Sequence, residues 1–527
     1  MDLPDCRRAD RESLTVNEAA KHSRKRRSQM KRRWRLASLL LLAAVCTALV
    51  AAGSAQAAVS QSSPTAWLLR GSHVVHKGGW TLVRLQGMPY QIGYQRCYLT
   101  VQNTDYWIRS YDGPAEDRQA LRDIARQYIW PRIPWEYRQE LKGEAAGLFA
   151  ALQEQGASFD DQAGLKAQTQ EEDLWDLVAA NAWADLDTYA PPEPVLAARA
   201  LTNESRCSAF IATGNATRDG KPVMGHNTWS SYAGDFMYNI LFDVHPAMGY
   251  AFRYQGAGGS IWSGEDWYVN SAGLLLTETS LHDPVTDPDG IPVFVRARQA
   301  IEYSATVKQA VKTLLRGNNG AYSNEWLIGD HTGLIASLQL GCYAYDLHMT
   351  RNGFFGSSNY EWGANIRAEM GLTAPGDPSN RFYARYVRWK QLKKQYYGRI
   401  DAAIGMKMLA DTYDTYIKKW HADARTICGE RENGLPEIGA PLPAPYSSGV
   451  AAGAYDGKVT TERMALNGMG MYARWGHPNG DAFDAQAFLN ANPDWAASND
   501  AFSVLGLQIF SASTPNPWVL VGARAFQ

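Results

Sequence analysis

Hydrophobic and polar positions follow two different periods along this chain. From about Trp67 to Ala190, apolar residues recur at the spacing of one helix face. The proline-rich run 190–194 interrupts this pattern, and the short polar segment 201–206 follows it. The first part of the chain is therefore predicted to be helical, with helices over Tyr90–Tyr111, Ala115–Tyr128, Trp135–Gln155 and Glu171–Leu186.

At Cys207 the period changes to that of strands. Cys207–Thr213 and Pro222–Thr228 are joined by a polar loop that contains Asp219-Gly220, which predicts a β-hairpin whose first residue is a cysteine. Further segments follow in the order strands, helices, strands, which favours an α+β layered domain over a βαβ series. We predict strands at Asn239–Val244, Gly249–Tyr254, Trp267–Asn270, Gly273–Thr279, Glu325–Gly329 and Leu334–Leu340, and helices at Val307–Leu315, Arg381–Gln395 and Ala402–Lys418.

The first residues carry the pattern of an export signal. A basic stretch, Arg24–Arg35, precedes the apolar run Leu36–Ala52, and Ala55-Gln56-Ala57 supplies the small residues that a signal peptidase accepts. Residues 1–57 are therefore predicted to be a signal peptide, and the mature protein is expected to be secreted or periplasmic. The alternative is a membrane anchor, for which this run is barely long enough.

Composition and cysteine spacing narrow the function classes. The chain has 527 residues and a formal net charge of −1, which gives no reason to expect nucleic acid as a partner. Beyond the signal, Cys97, Cys207, Cys342 and Cys428 are widely spaced and form no zinc signature. An oxidising compartment would permit one disulfide among Cys97, Cys342 and Cys428. We expect no metal and no cofactor.

The densest motif is the stretch around the hairpin, RCSAFIATGNATRDGKPVMGHNTWSSY over Arg206–Tyr232. It resembles the phospholipase B-like family, for which HNTWSSY is nearly a signature, and more distantly the isopenicillin-N acyltransferase group with the penicillin and bile-salt amidases. Other blocks similar to that family follow in the same order. They are Gly79–Thr100, which resembles the family's opening strand and helix, and Asn270–Ser280, Tyr322–Asp330, Gly453–Thr460 and Ala473–Gly476.

The resemblance implies a fold and a division of the chain. The fold would be α+β, the four-layer αββα sandwich of N-terminal-nucleophile hydrolases, with a helical N-terminal segment packed on it. Residues 58–206 would form the helical segment, and residues 207–527 would form the catalytic segment that begins at the nucleophile. Cleavage between Arg206 and Cys207 would separate the two.

Cleavage at this bond would also change the chemistry of Cys207. A cysteine thiol has a pKa of about 8.5, whereas a free α-amine has a pKa of about 7.7–8.0 and titrates near neutral pH. Such an amine beside its own thiol can act as general base, so one residue supplies nucleophile and base. Without the flanking motifs, Cys207 reads more simply as a buried strand cysteine.

Several further residues are candidates for the site. Asn324 is expected to donate to the tetrahedral oxyanion, and the family comparison supports an Asn there. His226 and Asn227 are predicted to lie alongside Cys207, where the related amidases carry an Arg and an Asp. Supporting or substrate-binding roles are predicted for Thr228, Trp229, Glu278 and Thr279.

The sequence thus predicts a self-processing acyl hydrolase that acts through a cysteine thioester. Its partner would be a small acyl substrate, and no stable membrane insertion is expected after signal removal. The family name points to phospholipid esters, but fold and name do not fix the substrate. Two alternatives remain: an amidase or acyltransferase acting on N-acyl or peptide-like substrates, and an unprocessed, non-catalytic binding protein.

Overall fold

The computed structural model describes residues 64–110, 115–155, 168–189, 206–281, 285–430, 451–499 and 510–526. The predicted signal peptide and residues 201–205, which precede the predicted cleavage site, lie outside these ranges. Among the described residues, no helix combines the length and the apolar character needed to cross a bilayer.

Two large sheets carry the architecture. The first has nine strands in the order β1-β2-β5-β6-β7-β8-β9-β10-β11, all antiparallel except the parallel pair β2–β5. Its bounds are β1 His73–Lys77, β2 Trp80–Gly87, β5 Ile240–Pro246, β6 Phe252–Gly256, β7 Trp267–Asn270, β8 Leu275–Ser280, β9 Asn324–Gly329, β10 Ile335–Leu340 and β11 Tyr345–Thr350.

The second sheet has seven strands in the order β12-β3-β4-β16-β17-β18, and β15 pairs with the end of β4. The predicted hairpin is its β3–β4 pair. Its bounds are β3 Arg206–Gly214, β4 Gly220–Ser231, β12 Gly353–Ser357, β15 Ala452–Ala454, β16 Asp456–Thr461, β17 Met471–Trp475 and β18 Val519–Val521, and a separate two-stranded ribbon pairs β13 Tyr413–Asp414 with β14 Lys419–Trp420.

Helices cover both sheets. Their bounds in chain order are Pro64–Leu68, Pro89–Leu99, Val101–Ser110, Ala115–Ile124, Trp135–Gln155, Gln170–Asn181, Leu186–Tyr189, Val293–Tyr303, Val307–Leu315, Ala364–Glu369, Arg381–Tyr396, Ala402–Leu409, Glu462–Leu466 and Ala485–Ala491. A π-helical turn, Ala125–Ile129, extends the fourth of them.

Three apolar cores define the layers. One lies between the sheets and joins residues such as Leu82 and Leu275 of the first sheet to Ile211 and Met224 of the second. A second core packs the other face of the first sheet against helices from both parts of the chain. A third packs Phe210 and its neighbours against the helices Arg381–Tyr396 and Ala402–Leu409. This arrangement of helix, sheet, sheet and helix confirms the predicted α+β αββα class.

The structure also corrects several sequence-based expectations. The segment before Cys207 contributes two strands to the first sheet. β2 coincides with the opening strand that the resemblance implies within Gly79–Thr100, whereas the sequence predicts no strand at β1. The helix predicted over Ala402–Lys418 ends at Leu409, because Asp411 pairs with Arg388 and the chain then turns into the β13–β14 ribbon. All four predicted mature cysteines are free thiols, so no disulfide joins Cys97, Cys342 and Cys428.

Candidate active site

Cys207 lies near the start of β3, on the face that points between the two sheets. Side chains alternate along a strand, and Ala209 and Ile211 belong to the inter-sheet core whereas Phe210 faces the helices. Cys207 shares the face of Ala209 and Ile211. It is completely buried, with 0% of its surface exposed.

Three polar contacts surround Cys207. Its Sγ donates a hydrogen bond to Oδ2 of Asp266 at 3.2 Å, and its backbone N donates to Oδ1 of Asn359 at 3.1 Å. Its carbonyl oxygen accepts a hydrogen bond from Nη1 of Arg385. The thiol, the nitrogen that cleavage would free and the carbonyl thus each have a separate partner.

Asp266 reaches the thiol from the first sheet. It immediately precedes β7 and has a left-handed backbone, with φ at 64°. Asp tolerates this region better than most residues, but the conformation still needs support from its surroundings. The hydroxyl of Thr277 supplies it by donating to the Asp266 carbonyl oxygen. The carboxylate is therefore held toward β3 by its own backbone.

Asn359 and Arg385 form a second support on the other side of Cys207. Asn359 follows β12, has φ at 62°, and anchors its Nδ2 on the carbonyl oxygen of Ser280 at 2.9 Å. Arg385 lies one turn into a helix that Asn380 caps by accepting from two backbone N–H groups. Its Nη2 donates to Oδ1 of Asn359 at 3.0 Å, and its Nη1 donates to Oγ of Ser208 at 3.0 Å.

His226 lies beside the thiol, as predicted, on the same face of β4. Its Nε2 is 3.1 Å from the carbonyl oxygen of Glu278 and 3.9 Å from Oδ2 of Asp266. A carbonyl oxygen only accepts, so Nε2 carries the hydrogen. Burial, followed by the charge of Lys458, lowers the pKa of His226 well below its usual value. The ring is therefore neutral.

Several buried carboxyl groups lie around the thiol. We call Cys207, His226, Glu265, Asp266 and Glu278 the thiol cluster; all five are buried. The Asp266 and Glu278 carboxyls contact each other, and Asn324 and Tyr322 also reach Glu278. Burial raises the pKa of Glu278, and burial together with the Glu278 charge raises that of Asp266. Burial and these two carboxyls also raise the pKa of the Cys207 thiol.

Three members of the cluster offer ligand atoms for a metal ion. Sγ of Cys207, a ring nitrogen of His226 and a carboxylate oxygen of Asp266 lie within 4.8 Å of one another. Sulfur, nitrogen and oxygen donors of this kind suit a divalent transition metal. The Nε2 hydrogen that points at Glu278 occupies the lone-pair position which a metal needs, so this tautomer does not coordinate through Nε2.

Two of the supporting residues lie close to Cys207. Thr228 is directly opposite Cys207 on β4, accepts from Nζ of Lys458 at 2.6 Å and donates to the Glu265 carbonyl oxygen at 3.3 Å. Oγ1 of Thr279 is 2.5 Å from Oγ of Ser357, and it accepts from the backbone N of Asn359 at 3.4 Å. Thr279 therefore supports Asn359, which holds the Cys207 nitrogen.

Asn227 and Trp229 point the other way. Asn227 donates from Nδ2 to the carbonyl oxygens of Leu409 and Ile427, at 2.8 and 3.2 Å, on the helix-facing side of β4. The expectation that Asn227 lies alongside the thiol is wrong, because neighbouring strand residues face opposite sides of the sheet. Trp229 shares the outer face, where the guanidinium of Arg385 lies 4.5 Å from its ring centroid.

Asn324 begins β9 and is buried, and its side chain reaches the Glu278 carboxyl. This contact lowers the pKa of Glu278, although burial outweighs the effect. A buried amide donor that adds no charge is suited to an oxyanion site. None of the contacts that the structure gives Asn324 reaches Cys207, so its role stays a prediction.

The sequence reasoning missed Asp266, Asn359 and Arg385. These residues are separated from Cys207 by 59, 152 and 178 positions, so no local pattern links them to it. One signal was present for Asp266: the acidic pair Glu265-Asp266 stands directly before a predicted strand. Arg385 lies within a correctly predicted helix, at helical spacing from the buried residues Trp389 and Leu392.

The chain is similar to known proteins over the region that carries this site. A model of the family "Phospholipase B" matches residues 118–341, which include the whole thiol cluster and Asn324. An uncharacterized protein of Archaeoglobus fulgidus is 25% identical over 279 residues, which cover 48% of this chain and 42% of that protein. The putative phospholipase B-like 3 of Caenorhabditis elegans is 29% identical over 140 residues, 24% of this chain and 23% of that protein.

These matches confirm the predicted resemblance to the phospholipase B-like family. The matched regions span less than half the length of either relative. Penicillin V acylase from Agrobacterium tumefaciens aligns with 51% of this chain and 82% of its own, at 11% identity and a TM-score of 0.28. So low a score supports no inference, and the assignment of the four layers depends on the sheets and cores described above.

Proposed function

We propose that this chain is a self-processing acyl hydrolase that cleaves itself between Arg206 and Cys207 and then uses Cys207 as an N-terminal nucleophile. The match to the phospholipase B family supports a hydrolase. The observation that carries the proposal is the arrangement at Cys207, whose thiol faces Asp266 while its backbone nitrogen is held by Asn359. Both groups that the mechanism needs already have polar partners in the uncut chain.

A single residue, Cys207, would supply both the nucleophile and the general base for turnover. The free α-amine of Cys207 accepts the thiol proton, and the sulfur attacks the acyl carbon to give a tetrahedral oxyanion. The oxyanion collapses to a thioester while the leaving alcohol or amine takes the proton from the α-ammonium. Water, deprotonated by the same amine, then hydrolyses the thioester and releases the acid. The side-chain oxygen Oδ1 of Asn359 orients the amine in each of these steps.

The oxyanion needs a donor that is already in place, and Asn324 is our candidate. Its buried side-chain amide can donate a hydrogen bond without adding charge to the site. Removal of one such donor typically slows an enzyme by about 10²–10³-fold. We therefore expect Asn324→Ala to lower kcat by that factor, and Asn318→Ala, in the preceding turn, to leave kcat near the wild-type value.

Cleavage would also control access to the site. The Cys207 side chain is 0% exposed in the uncut chain, so no acyl substrate reaches the sulfur. The uncut protein is therefore expected to be inactive. We further propose that the protein acts in a secreted or periplasmic location, which the basic, apolar and small-residue order of residues 1–57 supports.

The substrate we favour is a phospholipid acyl ester, because the curated relative in Caenorhabditis elegans is named phospholipase B-like. The test offers the purified full chain a phosphatidylcholine and an N-acyl amino acid under identical conditions. Hydrolysis of the ester with an initial burst of alcohol product is the expected result. Preference for the amide would instead assign an amidase with the same machinery.

Cys207→Ala is the control for this test. It should lower hydrolysis of either substrate by about 10⁴-fold or more, since loss of a covalent nucleophile has effects of that order. A wild-type chain that stays whole and hydrolyses neither substrate would contradict the proposal and favour a binding protein. Unchanged hydrolysis by the Cys207→Ala chain would refute the assigned nucleophile.

A further inference from the structure

Self-cleavage poses a problem that turnover does not. Before the Arg206–Cys207 bond breaks, the nitrogen of Cys207 is a peptide nitrogen, whose lone pair is delocalised into the carbonyl. It cannot accept the thiol proton. The amine that serves as base in the proposed turnover is absent at the moment of cleavage, so the uncut chain needs a different base.

We propose that Asp266 is the general base of the self-cleavage step, a role that rests on the proposed function and that the mature enzyme no longer needs. The Cys207 Sγ donates its hydrogen bond to Oδ2 of Asp266 at 3.2 Å, which is direct proton-transfer contact. The left-handed backbone of Asp266, held by Thr277, aims the carboxylate across the inter-sheet space at this sulfur.

No neighbouring group accepts a hydrogen bond from the thiol as Asp266 does among the described residues. Nε2 of His226 already carries a hydrogen, which it donates to the carbonyl oxygen of Glu278, and its Nδ1 makes no hydrogen bond to the sulfur. The Glu278 carboxyl contacts Asp266, Asn324 and Tyr322 and accepts no hydrogen bond from the sulfur. Glu265 accepts from the hydroxyl of Tyr455. Among the described residues, only Asp266 accepts a hydrogen bond from the sulfur.

The charge balance of the step favours this base. Transfer moves one negative charge from the carboxylate to the sulfur along a single hydrogen bond, and no charge enters or leaves the buried site. Burial therefore disfavours reactant and product alike, so neither desolvation nor a new ion pair opposes the transfer. A base in solvent would instead have to bring its charge to a fully buried thiol.

Self-cleavage then proceeds in two stages, transfer of the Arg206 acyl group to sulfur and hydrolysis of the thioester. Asp266 takes the thiol proton, and the Cys207 sulfur attacks the Arg206 carbonyl carbon to give a tetrahedral oxyanion. The carbon–nitrogen bond breaks, and the protonated Asp266 returns its proton to the leaving nitrogen, which becomes the α-amine. A thioester now joins Arg206 to the Cys207 sulfur. Water hydrolyses it to the Arg206 carboxylate and a free thiol.

The experiment follows cleavage in the full chain as it is made. Wild type, Asp266→Asn, Cys207→Ala and Asp235→Asn are produced by cell-free translation, and the fraction cleaved is measured over time on denaturing gels. Asp235 is a matched control, because it is also a buried carboxyl but accepts from Ser511 and makes no contact with Cys207. Sequencing of the new N-terminus confirms that the product begins at Cys207.

Asp266→Asn should slow cleavage by about 10²-fold or more, the usual contribution of a general base. Asp235→Asn should cleave within a few-fold of wild type, and Cys207→Ala should stay whole. Cleavage of Asp266→Asn at the wild-type rate overturns the inference, and so does an equal slowing by Asp235→Asn. Wild type that never cleaves overturns the proposed function itself, which separates the two failures.

A pH profile decides the case in which the Asn variant fails to fold. The base must be ionised, so wild-type cleavage should slow as pH falls through the pKa of Asp266. Asp266→Glu keeps a carboxyl and should move this acid limb; an unmoved limb overturns the inference. The groups that face Asp266 are Cys207 of β3, His226 of β4, Glu265 of its own loop, Tyr268 of β7, Glu278 of β8 and Tyr322 before β9.

Discussion

Two clusters of buried carboxyls lie in this fold and differ in their partners. In the first, which we call the paired cluster, Glu140, Glu144 and Glu302 each accept a hydrogen bond from Arg96 or Arg298. Glu140 joins the two guanidiniums, at 2.5 Å from Arg96 and 2.9 Å from Arg298. In the thiol cluster, no Arg or Lys of the described chain hydrogen-bonds to the carboxylate of Asp266 or Glu278.

This difference in partners indicates a structural role for the paired cluster and a chemical role for the thiol cluster. The arginines of the paired cluster bind helices Pro89–Leu99, Trp135–Gln155 and Val293–Tyr303 to one another, so its carboxylates hold helices in place. A carboxyl without a cationic partner is instead free to take up and release a proton. Perturbed pKa values are concentrated at functional sites, but ion-pair networks such as the paired cluster perturb them as well. Burial alone therefore does not distinguish the clusters, whereas their hydrogen-bond partners do.

The largest effect we expect comes from breaking the paired cluster. Arg298→Met keeps an apolar stem but leaves Glu140 and Glu302 without their shared partner. Removal of one partner of a buried ion pair typically costs about 3–5 kcal/mol. Urea unfolding of this variant, in an uncut Cys207→Ala background, should show a loss of that size. A loss below about 1 kcal/mol would mean that the paired cluster does not stabilise the helices.

The second effect concerns the arginine that serves the thiol site. Arg385→Met removes the donors to the Cys207 carbonyl oxygen and to Asn359. Asn359, which holds the nitrogen of Cys207, then loses its contact with the helix. Misplacement of a reacting group by about 1 Å costs on the order of 10²-fold in rate. We expect kcat of the mature enzyme to fall by about this factor, with KM little changed.

Arg388→Met provides the control for this prediction. Arg388 lies three residues further along the same helix and pairs with Asp411 at 2.7 Å, away from Cys207. Its loss should lower the free energy of unfolding but leave kcat of the folded enzyme near the wild-type value. Equal losses of kcat in both variants would show that the helix, and not the Arg385 contacts, is what matters.

The smallest effect is a difference in sign between Glu278 of the thiol cluster and Glu140 of the paired cluster. Burial raises the folded-state pKa of Glu278, so its contribution to stability is full below the ordinary carboxyl pKa and is lost as pH rises through the raised value. Glu278→Gln removes this loss and should raise the free energy of unfolding at neutral pH.

Glu140→Gln should change stability in the opposite direction. Arg298 and Arg96 outweigh burial and lower the folded-state pKa of Glu140, so its contribution is present at neutral pH and is lost only as pH falls through the lowered value. Urea unfolding between about pH 5 and 8 tests both variants. Destabilisation by Glu278→Gln at neutral pH would show that the thiol cluster is paired after all.

The parts of the site that the sequence predicted are those encoded locally. Cys207 and the β3–β4 hairpin follow from strand alternation and a Gly turn, where Gly220 has φ at 76°. The hairpin register then places His226 and Thr228 on the thiol face, because they pair with Ala209 and Cys207. Asn227 lies on the opposite face, because side chains alternate along the strand that the hairpin returns beside Cys207.

The remaining site residues depend on tertiary contacts. β12, which carries Asn359 to the thiol, was not predicted, and it reaches the site by pairing with β3. The Val293–Tyr303 helix was also missed, although it supplies Arg298 to the paired cluster. Residues that meet across two sheets and three cores leave no periodic signal in one chain segment, so only the fold reveals them.

The central claim is that Cys207 becomes an N-terminus by breaking its own peptide bond. Intact-mass spectrometry of the purified full chain tests this most directly. The account predicts two fragments whose masses sum to that of the uncut mature protein plus one water, the second beginning Cys207-Ser208-Ala209, and a single uncut species for Cys207→Ala. A wild-type chain that remains whole while it hydrolyses acyl substrates would contradict the account.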